Sequence, residues 1–388
     1  MTPTPTAILP DSAQEHASPA HEQSGAATRV APLVTGAWIE RSNADILQVD
    51  DDEDDCEGGD EYSNADLGNP LCVPCIWFLR VEHWVIHHMP FIPHPTIRSS
   101  IVQQYIHCVR KWLRQWIDCG HCPIIHRALF AGTGMPPCLQ DAYATLAVYS
   151  LKNERNEDAV MQHVEDKNNA LLEEHAMDAD SLADPFPSTS TLSTAQHLAR
   201  VLALVIYQFI RLFDGHIRQR ALAEKQIHVL KCWTAQLWNS ISLDVTVQNT
   251  FGSDYLAIKD RTNATVKLWH SWILVENVRR IWMVSTYTEK IYLMNRDGVT
   301  DCGGAIDFTA RRGVWDAASA EVWVRMLGRK EPPSVAPYQA KGVLESTTAN
   351  EIDIFGLVTM TLLLDTDKLD SWLAKSTDVR LEDALMAD

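Results

Sequence analysis

Apolar side chains recur every three or four positions along most of this chain, the spacing that places them on one face of an α-helix. The clearest case lies between Ile97 and Ile117. There Ile101, Val102, Tyr105, Ile106, Val109, Trp112, Leu113 and Trp116 share a face, while Arg98, Gln103, Arg110, Lys111 and Arg114 take much of the other side. The pattern predicts a helix over 98–117, stopped by Gly120 and Pro123. A loop with Gly132, Gly134, Pro136 and Pro137 follows, then a short helix over 139–151 and a more polar one over 158–175. Ser193 or Thr194 stands where a hydroxyl accepts an otherwise unpaired backbone N–H, at the start of a long helix reaching Phe213. Further helices are expected over 219–238, 267–294, 317–328 and 351–374, with a loop over 241–263 around Gly252.

The longest apolar run, Val201 to Ile210, contains Gln208 and is bracketed by Arg200 and Arg211. It is about half the roughly 20 residues that span a bilayer, so it is expected to be a buried helix, and no membrane segment is assigned. No alternating stretch is long enough for a sheet, and no repeat of fixed period appears. The expected fold class is all-α, a multi-helix array with one or two minor strands at most.

Composition changes this picture at the N-terminus. Residues 1–70 are rich in Thr, Pro, Ser, Ala, Asp and Glu and carry fifteen acidic side chains against Arg29 and Arg41, so they are expected to form a disordered acidic tail. Its densest part runs from Asp50 to Asp55. It is either a solvating segment or a patch that docks on a basic partner. The helical body is assigned to 71–388, with a possible internal linker over 176–192 that includes Pro185 and Pro187.

The formal net charge is -18, from 33 basic and 51 acidic residues. Affinity for nucleic acid rests mainly on Lys and Arg neutralising phosphates, so direct DNA binding by this chain alone is not expected. Nine cysteines cannot pair evenly, and the first 30 residues lack an apolar signal-peptide core. Reduced thiols in the cytosol or nucleus fit best.

Several short segments occur in an order that resembles the regulatory region of fungal zinc binuclear-cluster transcription factors. They are Cys122 to Phe130, Leu139 to Tyr143, Arg211 to Gly215, Trp272 to Arg280 and Gly313 to Ala317, within a resemblance covering about residues 100 to 328. The resemblance implies a helical regulatory domain, a nuclear location and control of transcription, often of genes for secondary metabolism. Members of that family usually carry six closely spaced N-terminal cysteines holding two zinc ions beside a basic run. Here Cys56, Cys72, Cys75, Cys108, Cys119 and Cys122 are spread widely, and the N-terminal region is acidic.

Candidate chemistry is sparse. Cys72-x-x-Cys75 and Cys119-x-x-Cys122 have the spacing of zinc chelate pairs, but the helix between them favours ordinary thiols. His83, His87, His88 and His94 cluster, and His83 with His87 would share a helical face. Glu82 precedes His83 where a hydrolytic zinc helix needs its Glu between the two histidines. No nucleophile elbow, phosphate-cradling loop or dinucleotide turn is present, and the Gly132–Gly134 stretch precedes two prolines instead of a helix. Glu276 with Arg279 and Arg280 makes a helix-face ion pair, read as structural, with ligand sensing as the alternative. Thirteen tryptophans are expected mainly in the core, with any exposed subset able to anchor a partner.

No catalytic, cofactor-binding or metal-ligating residue is therefore assigned, and no cofactor. The expected function is a nuclear transcriptional regulator or co-regulator. It would act through a DNA-binding transcription factor or the transcription machinery, as part of a homo- or hetero-dimer in one version. Two alternatives stay open: a DNA-binding factor whose zinc cluster lies upstream of this sequence, and a biosynthetic-pathway enzyme using the His83–His94 region in a helical cavity.

Overall fold

The computed structural model describes residues 78, 81–88, 99–175, 192–243, 261–328, 340–364 and 366–376. The acidic tail expected over 1–70, residues 176–191 of the inferred linker and 244–260 of the inferred loop lie outside them.

The first long helix, α1 (Ser99–Cys119), buries Ile101, Val102, Tyr105, Ile106, Val109, Trp112, Leu113 and Trp116, the face the periodicity picked out. Gly120, at φ 73, ends it in a left-handed conformation that a side chain disfavours, and its N–H closes on the Trp116 carbonyl at 2.8 Å. Helix α2 (Pro137–Tyr149) begins with a proline in its first turn, where the missing N–H has no partner to lose. Helix α3 (Glu157–Glu174) carries Glu157 and Asp158 in its first turn, against the positive end of its dipole.

Helix α4 (Thr194–Phe213) is the axis of the body. Ser193 and Gln196 form a reciprocal capping box at its start, so Ser193 and not Thr194 is the cap. From His197 to Leu212 every residue is buried, as expected of the apolar run. It packs against α2, α3, α5 (Ile217–Glu224), α6 (Ile227–Leu243) and α7 (Arg261–Asp297). At 37 residues α7 is the longest described helix, roughly 55 Å at 1.5 Å per residue, and Gly298 at φ 75 terminates it. The remaining helices are α8 (Ala320–Leu327), α9 (Ala340–Ser346), α10 (Ile354–Leu363) and α11 (Thr366–Ser376), with 3-10 turns at Val81–Trp84 and Ala349–Glu351.

The all-α expectation holds. Among the described residues the only β pairings are isolated bridges, His87 with Ala305, Cys122 with Ile125 and Arg311 with Ile352, in place of the minor strands allowed for. No described helix is long and apolar enough to cross a membrane.

Two helix assignments need correction. The helix expected over 219–238 is two, broken at Lys225–Gln226, where the turn lets the Gln226 carboxamide face inward. The helix expected over 351–374 is also two, because Asp353 starts α10 as its cap and Leu364 is extended at φ -114 and ψ 156. Helix α9 was not anticipated.

The core is rich in aromatic rings. Trp116, Trp233, Trp272 and Trp323 are among the largest wholly buried side chains, and Trp272 lies 5.6 Å from Trp323 between ring centroids. No described tryptophan is exposed, so an anchor for a partner has no tryptophan candidate among them.

Candidate functional site

The most densely organised polar site lies mid-way along α7. Glu276, Arg279 and Arg280 fall three and four residues apart, so the carboxylate reaches both guanidinium groups along one side of the helix. All three are buried to 1% exposure or less. Glu276 Oε1 accepts from Arg280 Nε at 3.3 Å and from the Thr309 N–H at 2.9 Å. Its Oε2 accepts the Thr309 hydroxyl at 3.1 Å and lies 3.9 Å from Arg279 Nη1.

The two arginines are adjacent in sequence, about 100° apart around the helix, so they reach in different directions. Arg279 donates to the carbonyls of Phe78 at 2.7 Å and His83 at 3.1 Å, and its guanidinium lies 4.6 Å from the Trp84 ring centroid. Arg280 donates to the carbonyls of Pro123 at 2.7 Å and Thr309 at 2.9 Å, and to Asp353 Oδ2 at 2.6 Å. It lies 3.9 Å from the Trp315 centroid and 4.7 Å from that of Phe355. Two cations and two carboxylates therefore balance in a dry interior, where a lone charge costs several kcal/mol.

Burial pushes the Glu276 and Asp353 carboxyls above the usual range, against the pull of Arg280 in each case. Burial lowers Arg279 to about 10, with Glu276 opposing, so it stays cationic at neutral pH.

Three segments of the family resemblance meet here. Trp315 Nε1 donates to the Cys122 carbonyl at 3.0 Å, and the His126 N–H donates to Asn277 Oδ1 at 3.2 Å. The His126 ring stands edge-on to Trp269, Trp272 and Trp315. Its Nδ1 accepts the Ala128 N–H at 3.0 Å, and burial drives its pKa down to about 3. It is therefore neutral at pH 7 and sits in the core as a packed ring.

A second polar cluster ties α3, α4 and α5 together. Arg211 is wholly buried and donates to Gln219 Oε1 at 2.9 Å and Gln226 Oε1 at 2.6 Å. Gln219 passes on to Glu165 at 2.6 Å, and Arg218 grips the same carboxylate with two nitrogens at 2.6 and 2.8 Å. That grip holds the Glu165 carboxyl below its ordinary range. Gln226 also accepts from Asn168 at 3.0 Å and Gln208 at 3.3 Å, which is what the break between α5 and α6 accomplishes.

The cysteine and histidine candidates come out differently. Cys119 is exposed, whereas Cys122 is buried with its thiol pushed up to about 12 by burial. The pair does not face a common site, and Cys72 and Cys75 lie outside the described residues. His83 sits in the 3-10 turn with Nδ1 2.7 Å from Asp307 Oδ2, while His87 pairs through its backbone with Ala305. The shared helical face expected for His83 and His87 is thus wrong, because the chain becomes extended between them. His94 lies outside the described residues. Among those residues no three His, Cys, Asp or Glu side chains gather at metal-binding distance.

Sequence reading missed Thr309, Asp307, Asn277 and Asp353. For Asp353 a signal existed, since Asp353 precedes Gly356 by the three residues of a helix cap, and its Oδ1 accepts that N–H at 2.8 Å.

Two surface recesses flank Arg110. One, of about 230 Å³, is mostly apolar and lined by Leu113, Ile117, Leu146, Tyr149, Phe209 and Ile210 together with Asp214. Tyr149 donates to Asp214 at 2.7 Å, and Lys152 lies 3.0 Å from the same carboxylate. The other, of about 210 Å³, holds Arg110, Arg220 and Arg296.

No protein-family model matches the chain, and no solved structure matches it. Two curated proteins do. It is 30% identical over 273 residues, 68% of this chain and 60% of the relative, to a protein of Penicillium aethiopicum named transcription factor gsfR2. It is 25% identical over 232 residues, 58% of this chain and 23% of the relative, to zinc finger protein zas1 of Schizosaccharomyces pombe. The matched region thus covers less than two thirds of either relative, and the chain is similar to part of a fungal transcription factor.

Proposed function

We propose that this chain is the helical regulatory body of a fungal transcriptional regulator, resident in the nucleus and working through protein partners. The observation that carries the reading is the 30% identity over 273 residues to a protein named as a transcription factor. The buried cluster supports it. Glu276, Arg279 and Arg280 are engaged with one another, with backbone carbonyls and with Thr309 and Asp353, an arrangement suited to fixing distant segments and not to meeting a substrate. The formal charge of -18 disfavours unaided contact with DNA, so a DNA-binding partner supplies that contact. By the family resemblance, the genes controlled belong to a fungal secondary-metabolite cluster.

The test is crosslinked capture of the tagged full chain from nuclei, with sequencing of the DNA and mass spectrometry of the proteins recovered. Enrichment at discrete loci that disappears when a co-captured DNA-binding protein is depleted supports the reading. Absence from nuclei overturns it. The partner-dependent version fails separately if the purified chain alone binds a specific duplex at about 0.15 M salt.

A further inference from the structure

The recess holding Arg110, Arg220 and Arg296 stands out in a chain with 33 basic and 51 acidic residues. Three helices contribute these arginines to one recess: Arg110 from α1, Arg220 from α5 and Arg296 from the last turn of α7. The Arg220 side chain is half-buried, its Nε is shut off from solvent without an acceptor, and no carboxylate among the described residues pairs with it. Glu224, one turn further along α5, is occupied by the Tyr292 hydroxyl. Arg110 spends Nη2 on the Phe213 carbonyl, and no carboxylate among the described residues pairs with it either. Arg296 pairs with its neighbour Asp297, both about two-fifths exposed, a contact that water screens and a bound anion can displace; it also lies over the Tyr292 ring and within reach of the Glu224 charge.

Like charges gathered in one recess repel each other, and an isolated donor shut away from water lacks a hydrogen bond it would otherwise make. An anion placed among the three groups relieves that repulsion. Donors converging from three helices suit a tetrahedral group with three terminal oxygens better than a planar carboxylate, which two nitrogens of one guanidinium already satisfy. The carboxamides of Gln103 and Asn295 line the same recess and suit the hydroxyls of a small polar body.

We propose that this recess binds the phosphoryl group of a small phosphate monoester. The inference does not rest on the transcriptional reading and stands or falls without it.

Inorganic phosphate is the probe, titrated calorimetrically into the full chain at low ionic strength, with succinate and chloride at matched ionic strength as comparisons. The expected result is saturable binding of one phosphate, weakened roughly tenfold or more in Arg220→Gln. The melting temperature of that variant without phosphate should not fall, because repulsion is removed with the charge. Arg296→Gln, on an exposed helix turn, gives a second reading should Arg220→Gln fail to fold. Equal responses to succinate and phosphate, or equal binding by wild type and both variants, overturn the proposal. So does binding of a phosphopeptide or a DNA duplex with no response to inorganic phosphate, since the ligand is then a macromolecule.

Discussion

Arg280 Nη2 donates to Asp353 Oδ2 at 2.6 Å across 73 positions of sequence, while Asp353 Oδ1 caps α10 by accepting the Gly356 N–H at 2.8 Å. One carboxylate thus closes the end of a helix and neutralises a buried cation. Because Arg280 also holds the Pro123 and Thr309 carbonyls, α7, the loop after α1, the segment before α8 and the start of α10 share a single guanidinium.

Replacing Asp353 with Ala should therefore cost more than a helix cap alone. A lost cap costs about 1 kcal/mol, and an unpaired buried charge about 3–5 kcal/mol. Asp353→Asn keeps a capping oxygen and should fall between wild type and Asp353→Ala. Urea denaturation of the three proteins measures the order: equal loss in both variants would show that the ion pair, not the cap, matters, and an Asp353→Asn variant as stable as wild type would show the reverse.

Ser193→Ala should destabilise by about 1 kcal/mol, because the Ser193 side chain accepts the Gln196 N–H at the start of the central helix. Ser193→Gly should cost only a few tenths of that. Thr194→Val, one position into the helix, should leave the capping box intact. Thermal melts of the set distinguish the two candidate caps, and a larger effect at 194 would reverse the assignment.

His126 supplies a pH dependence of definite sign. Burial lowers its pKa from 6.5 to about 3, so the unfolded chain takes up the proton first as pH falls. The stability it contributes is complete above pH 6.5 and is lost progressively toward pH 3. Chemical denaturation between pH 7 and pH 4 should show a steeper loss for wild type than for His126→Gln, whatever the absolute stability of the variant. Parallel curves would mean that the ring is not buried as a neutral group.

Cysteine accessibility should separate the two members of the Cys119-x-x-Cys122 pair. Cys119 is exposed, whereas Cys122 and Cys108 are buried with thiols raised to about 12 and about 11. A thiol reagent applied to the folded protein should modify Cys119 quickly, and Cys122 and Cys108 only after denaturant is added. Peptide mapping reads the sites. Equal protection of Cys119 and Cys122, relieved by a chelator, would instead indicate a shared metal.

What the sequence by itself determined is local. The three-and-four spacing from Ile101 to Trp116, the serine before the apolar run and the glycine after α1 act within one or two turns. They gave the all-α class, the buried face of α1 and the start of α4 without reference to the rest of the chain. Glu276, Arg279 and Arg280 were legible as a group for the same reason.

The tertiary structure alone decided what those residues touch. Thr309 lies 33 positions from Glu276, and Phe78 lies 201 from Arg279, so no local period records the pairing. The break between α5 and α6 was hidden because apolar spacing continues across it. The chain turns there to aim Gln226 at Arg211, a buried cation that needs acceptors supplied from another helix. His83 and His87 left a helical register once Asp307 and Ala305 offered partners. Periodicity reports which side of an element is buried. Which distant charge or carbonyl satisfies a buried polar group is settled only when the elements pack.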